Sequence, residues 1–101
     1  MYALVQRYTI KDMNDLDEIV DLFEVGFSHI VKRSPGFVAY YLITSSNNIL
    51  VSFSLFHEEA GVDETDRMAV GYVQQVLGQY LQYLQESTEV AQGEVLIHEF
   101  T

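Results

Sequence analysis

Ser34-Pro-Gly-Phe37, Val38-Ala-Tyr-Tyr-Leu-Ile-Thr44, Ser45-Ser-Asn-Asn48 and Ile49-Leu-Val-Ser-Phe-Ser-Leu-Phe56 are the consecutive pieces of the stretch that decides the fold. Two runs rich in β-branched and aromatic residues, with small polar residues between them, predict one antiparallel hairpin. A loop of Ser45 to Asn48, or of its inner pair Ser46-Asn47, would set Thr44 opposite Ile49 and Tyr40 opposite Phe53, and opposite residues share a face. One face would then hold Val38, Tyr40, Leu42, Thr44, Ile49, Val51, Phe53 and Leu55. The other would hold Phe37, Ala39, Tyr41, Ile43, Leu50, Ser52, Ser54 and Phe56. Neither set contains a charge, whereas a sheet with one wet face alternates apolar with polar residues. Both faces are therefore expected to be covered, one by helices and the other by a second copy of the chain related by a two-fold axis.

Working outward, Tyr2 to Ile10 alternates as a first strand, with Tyr2, Leu4, Gln6, Tyr8 and Ile10 on one side. Asp12 offers a helix N-cap, and Asp15, Asp17 and Glu18 crowd the first turns, where the helix dipole favours anions. Leu16, Ile19, Val20, Phe23, Phe27, Ile30 and Val31 recur at helical spacing before Pro35-Gly36 ends the helix. After Phe56, Asp63 with Asp66 repeats the cap spacing of Asp12. A second helix is expected to about Leu84, its buried stripe running through Ala69, Tyr72, Val73, Val76, Tyr80 and Tyr83. Gly93 precedes a last expected strand, Glu94 to Phe100. The order β-α-β-β-α-β is the ferredoxin-like α+β arrangement, a four-stranded antiparallel sheet with two helices on one face.

The chain has 101 residues, and the reading treats 1–101 as one domain. Lys+Arg number 5 against Asp+Glu 15, a formal charge of −10 that repels phosphate backbones and anionic headgroups. Nucleic acid and membrane are thus not expected as partners. The absence of cysteine removes disulfide and thiolate chemistry, and the first residues show neither a signal-peptide core nor a spanning segment, so a soluble cytoplasmic protein is expected.

Pro35-Gly36-Phe37 leading from a capped acidic helix into a strand, a third strand closing on Phe56 before the acidic His57-Glu58-Glu59 turn, and a last strand Gly93-Glu-Val-Leu-Ile-His98 together resemble the antibiotic biosynthesis monooxygenase-like (ABM) superfamily of dimeric α/β barrels. The resemblance covers nearly the whole chain and rests on structural motifs. It implies a homodimer with a pocket between sheet and helices. It also implies either a cofactor-independent monooxygenase acting on a small aromatic or quinonoid compound, or a non-enzymatic ligand-binding or regulatory domain of the same fold. The chain departs from the enzymes in having Phe56 where the third strand often ends in Trp. Of the Asn, Trp, His set of the haem-degrading branch only His29 could be matched, so haem degradation is disfavoured.

Among individual residues, His29 is the one imidazole on a helix and a candidate general base, since its ordinary pKa lies near neutrality. The alternative, which such a position favours, is a half-exposed histidine hydrogen-bonded to a neighbour. Ala39, Ser52 and Ser54 are small residues that leave volume opposite a helix. A pocket is therefore expected with walls from Phe23, Phe27 and His29, from Ala39, Tyr41, Ser52 and Ser54, and from Tyr72 and Val76; these aromatic residues could equally be core. His57-Glu58 and His98-Glu99 are adjacent pairs without metal-ligand spacing, and no phosphate loop or dinucleotide fingerprint occurs, so no metal and no cofactor is expected.

Overall fold

A computed structural model of the chain describes residues 1–82 and 89–99. Strand β1 (Tyr2–Ile10) lies between β3 (Ile49–Phe56) on one side and two short strands, β4 (Leu81–Gln82) and β5 (Glu89–Glu94), on the other; β2 (Phe37–Thr44) forms the far edge beyond β3. Every pairing is antiparallel. Between β1 and β2 runs α1, residues 16–33, entered through a 3₁₀ turn at Met13–Asp15. The Asp12 carboxylate caps that turn, accepting from the Asn14 amide at 2.9 Å, as the sequence predicts. Helix α2, residues 59–77, follows β3. The sheet order β2-β3-β1, then β4 and β5, is the ferredoxin-like arrangement, with the fourth strand position shared by two pieces.

Both helices cover one face of the sheet. Leu4, Tyr8 and Ile10 of β1 and Leu50 and Phe56 of β3 are buried against Ile19, Phe23, Phe27 and Val31 of α1 and Val62, Ala69, Val73 and Leu77 of α2. Each such side chain contributes about 1.5–3 kcal/mol relative to exposure. The opposite face carries Val5, Arg7, Val51, Phe53 and Leu55 with Tyr41 and Ile43, of which Arg7 alone is charged. Tyr41 and Ile43 are 54% and 52% exposed there.

The hairpin register differs from the expected one by a residue. Tyr40 pairs with Ser54, Leu42 with Ser52 and Thr44 with Leu50. The Ser45 amide bonds to the Ile49 carbonyl at 2.8 Å, so the loop is Ser46 to Asn48, an odd number of residues. Asn47 and Asn48 take φ of 61° and 62°, left-handed values that asparagine tolerates better than other side-chain-bearing residues. The consequence is that Tyr40 and Leu42 lie under the helices, while Ala39, opposite Leu55, and Tyr41, opposite Phe53, turn to the outer face. An irregularity between Phe37 and Ala39 returns Phe37 to a position opposite Phe56.

Three further boundaries move, the first being the end of α2, which stops at residue 77 instead of Leu84 because Leu81–Gln82 pair with β1 as β4. Helix α2 begins at Glu59 instead of Asp63, because Gly61 lets the first turn settle against the Pro35 carbonyl and the Phe56 ring and so buries Val62 and Thr65. The last strand is Glu89–Glu94, with Gly93 inside it opposite Ala3. Val95 makes one more bond, to the Met1 carbonyl at 2.8 Å, and the chain then leaves the sheet with Leu96 and Ile97 exposed. Tyr83 and Leu84 lie outside the described residues.

Gly36 joins α1 to β2 at φ 72°, with its carbonyl accepting from the His57 amide at 2.7 Å. A Cβ there would sit 2.8 Å from the Glu58 nitrogen. Gly36→Ala should therefore lower stability by roughly 1–3 kcal/mol in urea or thermal melts; an unchanged midpoint would show that the turn tolerates a side chain. Gly71 is the contrasting case, exposed on α2 with open space around it, and Gly71→Ala should raise stability by about 1 kcal/mol in the same melts.

Candidate functional site

Alternation along β3 sends Leu50, Ser52, Ser54 and Phe56 toward the helices, and the observed register brings Tyr40 and Leu42 of β2 beside them. On the other side β1 sets Gln6 opposite Ser52 and Leu4 opposite Ser54. A polar stripe thus crosses the middle of an otherwise apolar layer. Gln6, Ser52, Ser54 and Thr65 are fully buried. Part of the stripe is satisfied: the Tyr8 hydroxyl donates to Gln6 Oε1 at 3.2 Å, Gln6 Nε2 to the Asp66 carboxylate at 3.4 Å, and Thr65 Oγ1 to Ser34 Oγ at 2.8 Å. The other part is not. The Tyr40 hydroxyl, Ser52 Oγ and Ser54 Oγ are all buried with no hydrogen-bond partner.

Aromatic rings enclose these groups. Tyr8 and Phe23 meet edge-on at 5.2 Å, Phe23 and Phe27 lie 5.4 Å apart, and Phe27 stands 5.7 Å from Tyr40 and 6.0 Å from Tyr72. Beside them a cavity of about 360 Å³ opens between α1 and β2. Its walls are Phe23, Phe37, Leu42 and the Tyr40 ring, and Glu24, Ser28 and Lys32 supply polar groups around it. Ser52 and Ser54 lie one strand further in, roughly 5 Å away across the β2–β3 ladder.

Helix α1 is not uniform where it borders this cavity. Phe23–Phe27 form a π turn between the α-helical segments Leu16–Leu22 and Ser28–Arg33. The Tyr72 hydroxyl donates to the Leu22 carbonyl at 2.6 Å, at the start of that turn. Gly26 makes the approach possible, since a Cβ there would meet the Tyr72 hydroxyl and ring. Helix α2 carries its own π turn at Val73–Leu77, which moves Leu77 rather than Val76 into the core.

Burial raises the pKa of Tyr8 well above the ordinary phenol value; nearby Asp66 adds to the rise and the Ser52 hydroxyl, close but not at bonding geometry, opposes it. Tyr40 is raised for the same first reason, with the neighbouring Tyr8 and Tyr72 phenols adding to it. Both remain neutral hydroxyl donors wherever the fold persists. Tyr72 is raised by desolvation and partly lowered by the Phe27 backbone.

Of the residues expected at the site, Phe23 lines the cavity, Phe27 packs between Phe23 and Tyr40, Tyr72 reaches α1, and Ser52 and Ser54 lie on the helix-facing side of the sheet. Ala39 and Tyr41 are on the outer face for the register reason given above, and Val76 is half-buried away from the cavity walls. His29 is exposed and does not line the cavity, although its neighbour Ser28 does. Its place on α1 turns the ring to solvent, because Phe27, Ser28 and Val31 take the inward positions. Leu42, Phe37 and Gln6 were missed, and the expected register put Tyr40 on the face away from Ser52 and Ser54. Gln6 had a signal, the one amide on the apolar side of the first strand. Among the described residues no three His, Asp or Glu side chains converge as a metal site, and no helix is long and apolar enough to cross a membrane.

Comparison with known proteins places the fold. No protein-family model matches the chain, and no curated protein does. Solved structures do. A Nitrosomonas europaea protein of unknown function, NE2512, superposes with a TM-score of 0.72 at 16% identity over 99% of this chain and 93% of that one. SnoaB, a cofactor-independent oxygenase from Streptomyces nogalater, gives 0.64 at 16% identity over 98% and 94%. A dimeric ferredoxin-like protein from an uncultured marine organism gives 0.57 at 9% identity over 99% and 90%. The ferredoxin-like architecture read from the sequence is thus the fold of the chain, shared with an oxygenase and with proteins of unknown function.

Two consequences can be measured. Tyr72→Phe should cost about 1 kcal/mol through the lost bond to Leu22, and Gly26→Ala should cost more, since it displaces the whole ring. An acid whose pKa is raised by folding keeps its proton longest in the folded state. Above about pH 10 the unfolded chain therefore binds fewer protons at Tyr8 and Tyr40 than the folded chain does, and stability falls as pH rises. Phenolate absorbance from these two side chains should appear together with loss of the circular-dichroism signal; its appearance in an intact fold would contradict their burial.

Proposed function

We propose that this protein is an ABM-type domain that binds a small phenolic or quinonoid compound between α1 and β2 and oxidises it with dioxygen without a cofactor. The observation that carries the reading is the aromatic-walled cavity of about 360 Å³ beside buried, unpartnered hydroxyls. Such a volume lies at the small end of ligand pockets and suits one or two fused rings. The oxygenase neighbour of the same fold supports the choice of chemistry. In that chemistry a phenolate gives one electron to dioxygen, and the resulting radical and superoxide combine at a ring carbon. The hydroperoxide so formed loses water to leave a quinone, one oxygen atom going to product and one to water. The Lys32 ammonium beside the cavity favours the anionic phenol. His29, exposed on α1, does not contact the ligand in this reading.

A second reading, binding without turnover, is favoured by the absence of an imidazole from the described cavity lining and by phenols held neutral there. Oxygen uptake separates the two. With 1-naphthol the enzyme reading expects uptake equal to the phenol consumed, unchanged within about twofold by His29→Ala; binding without uptake selects the second reading, and the absence of both overturns the site.

The domain is further proposed to act as a homodimer in the cytoplasm. The apolar outer sheet face, together with the exposed Leu96 and Ile97, supports self-association, as does the dimeric neighbour. Light scattering at micromolar concentration should give about twice the 11.6 kDa chain mass. A monomer would leave that apolar face without an occupant and count against the proposal.

A further inference from the structure

We infer that the hydroxyl cluster behind the cavity wall, made of Tyr40, Ser52 and Ser54, is a hydrogen-bonding subsite for an oxygen atom of the ligand. The inference rests on the proposed function and adds to it which atoms recognise the ligand and which chemical class is preferred. Ser52 and Ser54 are 0% exposed and project from β3 toward the helices, Ser54 without a partner and Ser52 beside the Tyr8 hydroxyl but not at bonding geometry; Tyr40 faces Ser54 across the ladder, and its hydroxyl is equally buried and without a partner.

Leaving a hydroxyl buried and unpaired is costly, and the chain does so repeatedly in one place. Elsewhere in the same layer it satisfies Tyr8 through Gln6, Gln6 through Asp66, and Thr65 through Ser34. A core selected for stability alone would carry Ala or Val at positions 52 and 54, as the surrounding Leu50 and Phe56 illustrate. Tyr40 lines the cavity while its hydroxyl oxygen is buried, so this side chain stands between the open cavity and the serines behind it. Tyr40 stays protonated and can donate to an oxygen of the ligand, and both serines can donate beside it. The acceptor that fits is a carbonyl or an ionised phenol on an aromatic ring, which makes a quinone a better occupant than a hydrocarbon of the same size.

The test compares 1,4-naphthoquinone with naphthalene, its oxygen-free counterpart, on the native protein, on Tyr40→Phe and on Ser52→Ala/Ser54→Ala. The chain has no cysteine for the quinone to alkylate. Calorimetric or fluorescence titration should show the quinone binding about tenfold more weakly to each variant, with naphthalene affinity changed less than about twofold. The serine double variant without ligand should melt a few degrees higher, because two unpaired groups have been removed. Affinity and stability moving in opposite directions is the signature of groups kept for a ligand. Unchanged quinone affinity with a lower melting temperature would assign the hydroxyls to a buried water and overturn the inference while leaving the cavity as the binding site. Failure of the native protein to bind either compound would overturn the inference together with the proposed function on which it rests.

Discussion

The one-residue offset of the β2–β3 hairpin determines what lies under the helices. Because the Ser45 amide closes on the Ile49 carbonyl, the side chains of β2 alternate in phase with Tyr40 and Leu42 inward and Tyr41 and Ile43 outward. Shifting the register by one would exchange them, since side chains alternate along a strand. The inner set gives the layer a phenol next to two serines and a wall for the cavity. The outer set gives the opposite face two large exposed apolar side chains. Both the candidate site and the apolar outer face therefore follow from a loop that asparagines can close in left-handed conformations.

The helices answer to the same layer. Each has a π turn, and the Tyr72 bond to Leu22 fastens one helix to the other beside Phe27. Gly26 and Gly61 are close-approach positions, the first admitting Tyr72 to α1 and the second seating α2 on Pro35 and Phe56. The packing is tight at both, while a gap remains between α1 and the β2 edge.

Much of the architecture was legible in the residues. Strand alternation in Tyr2 to Ile10, the Asp12 cap, the stripe of Ile19, Phe23, Phe27 and Val31, and the turn at Pro35-Gly36 lead to the observed order of elements. The placement of Ser52 and Ser54 with Leu50 and Phe56 was legible because it depends only on period-two alternation within one strand. What was not legible depends on contacts between elements. The hairpin register turns on whether the loop has an even or odd length, which Ser-Ser-Asn-Asn leaves open. The start of α2 is set by burial against Pro35 and Phe56, and a plausible cap at Asp63 misled because tertiary packing outweighs capping. The last strand was displaced because Glu89 to Glu94, exposed from Val90 onward, finds β1 as a partner while the more apolar Val95 to Ile97 run does not. His29 illustrates the limit for function: helical spacing put it at the margin of the apolar stripe, and a margin residue can turn either way.

A fold shared with both an oxygenase and proteins of unknown function leaves chemistry to the site, and here the site is defined by an aromatic cavity that ends near hydroxyls lacking partners. Stability argues against such groups, so their occupancy is the central claim. The most direct measurement is a crystal structure of the protein soaked with 1,4-naphthoquinone. The account predicts the ring between α1 and β2, against Phe23 and Phe37, with a carbonyl oxygen at hydrogen-bonding distance from Tyr40 and a serine of β3. An empty cavity with ordered water on all three hydroxyls, or a quinone bound only on the outer sheet face, would contradict it.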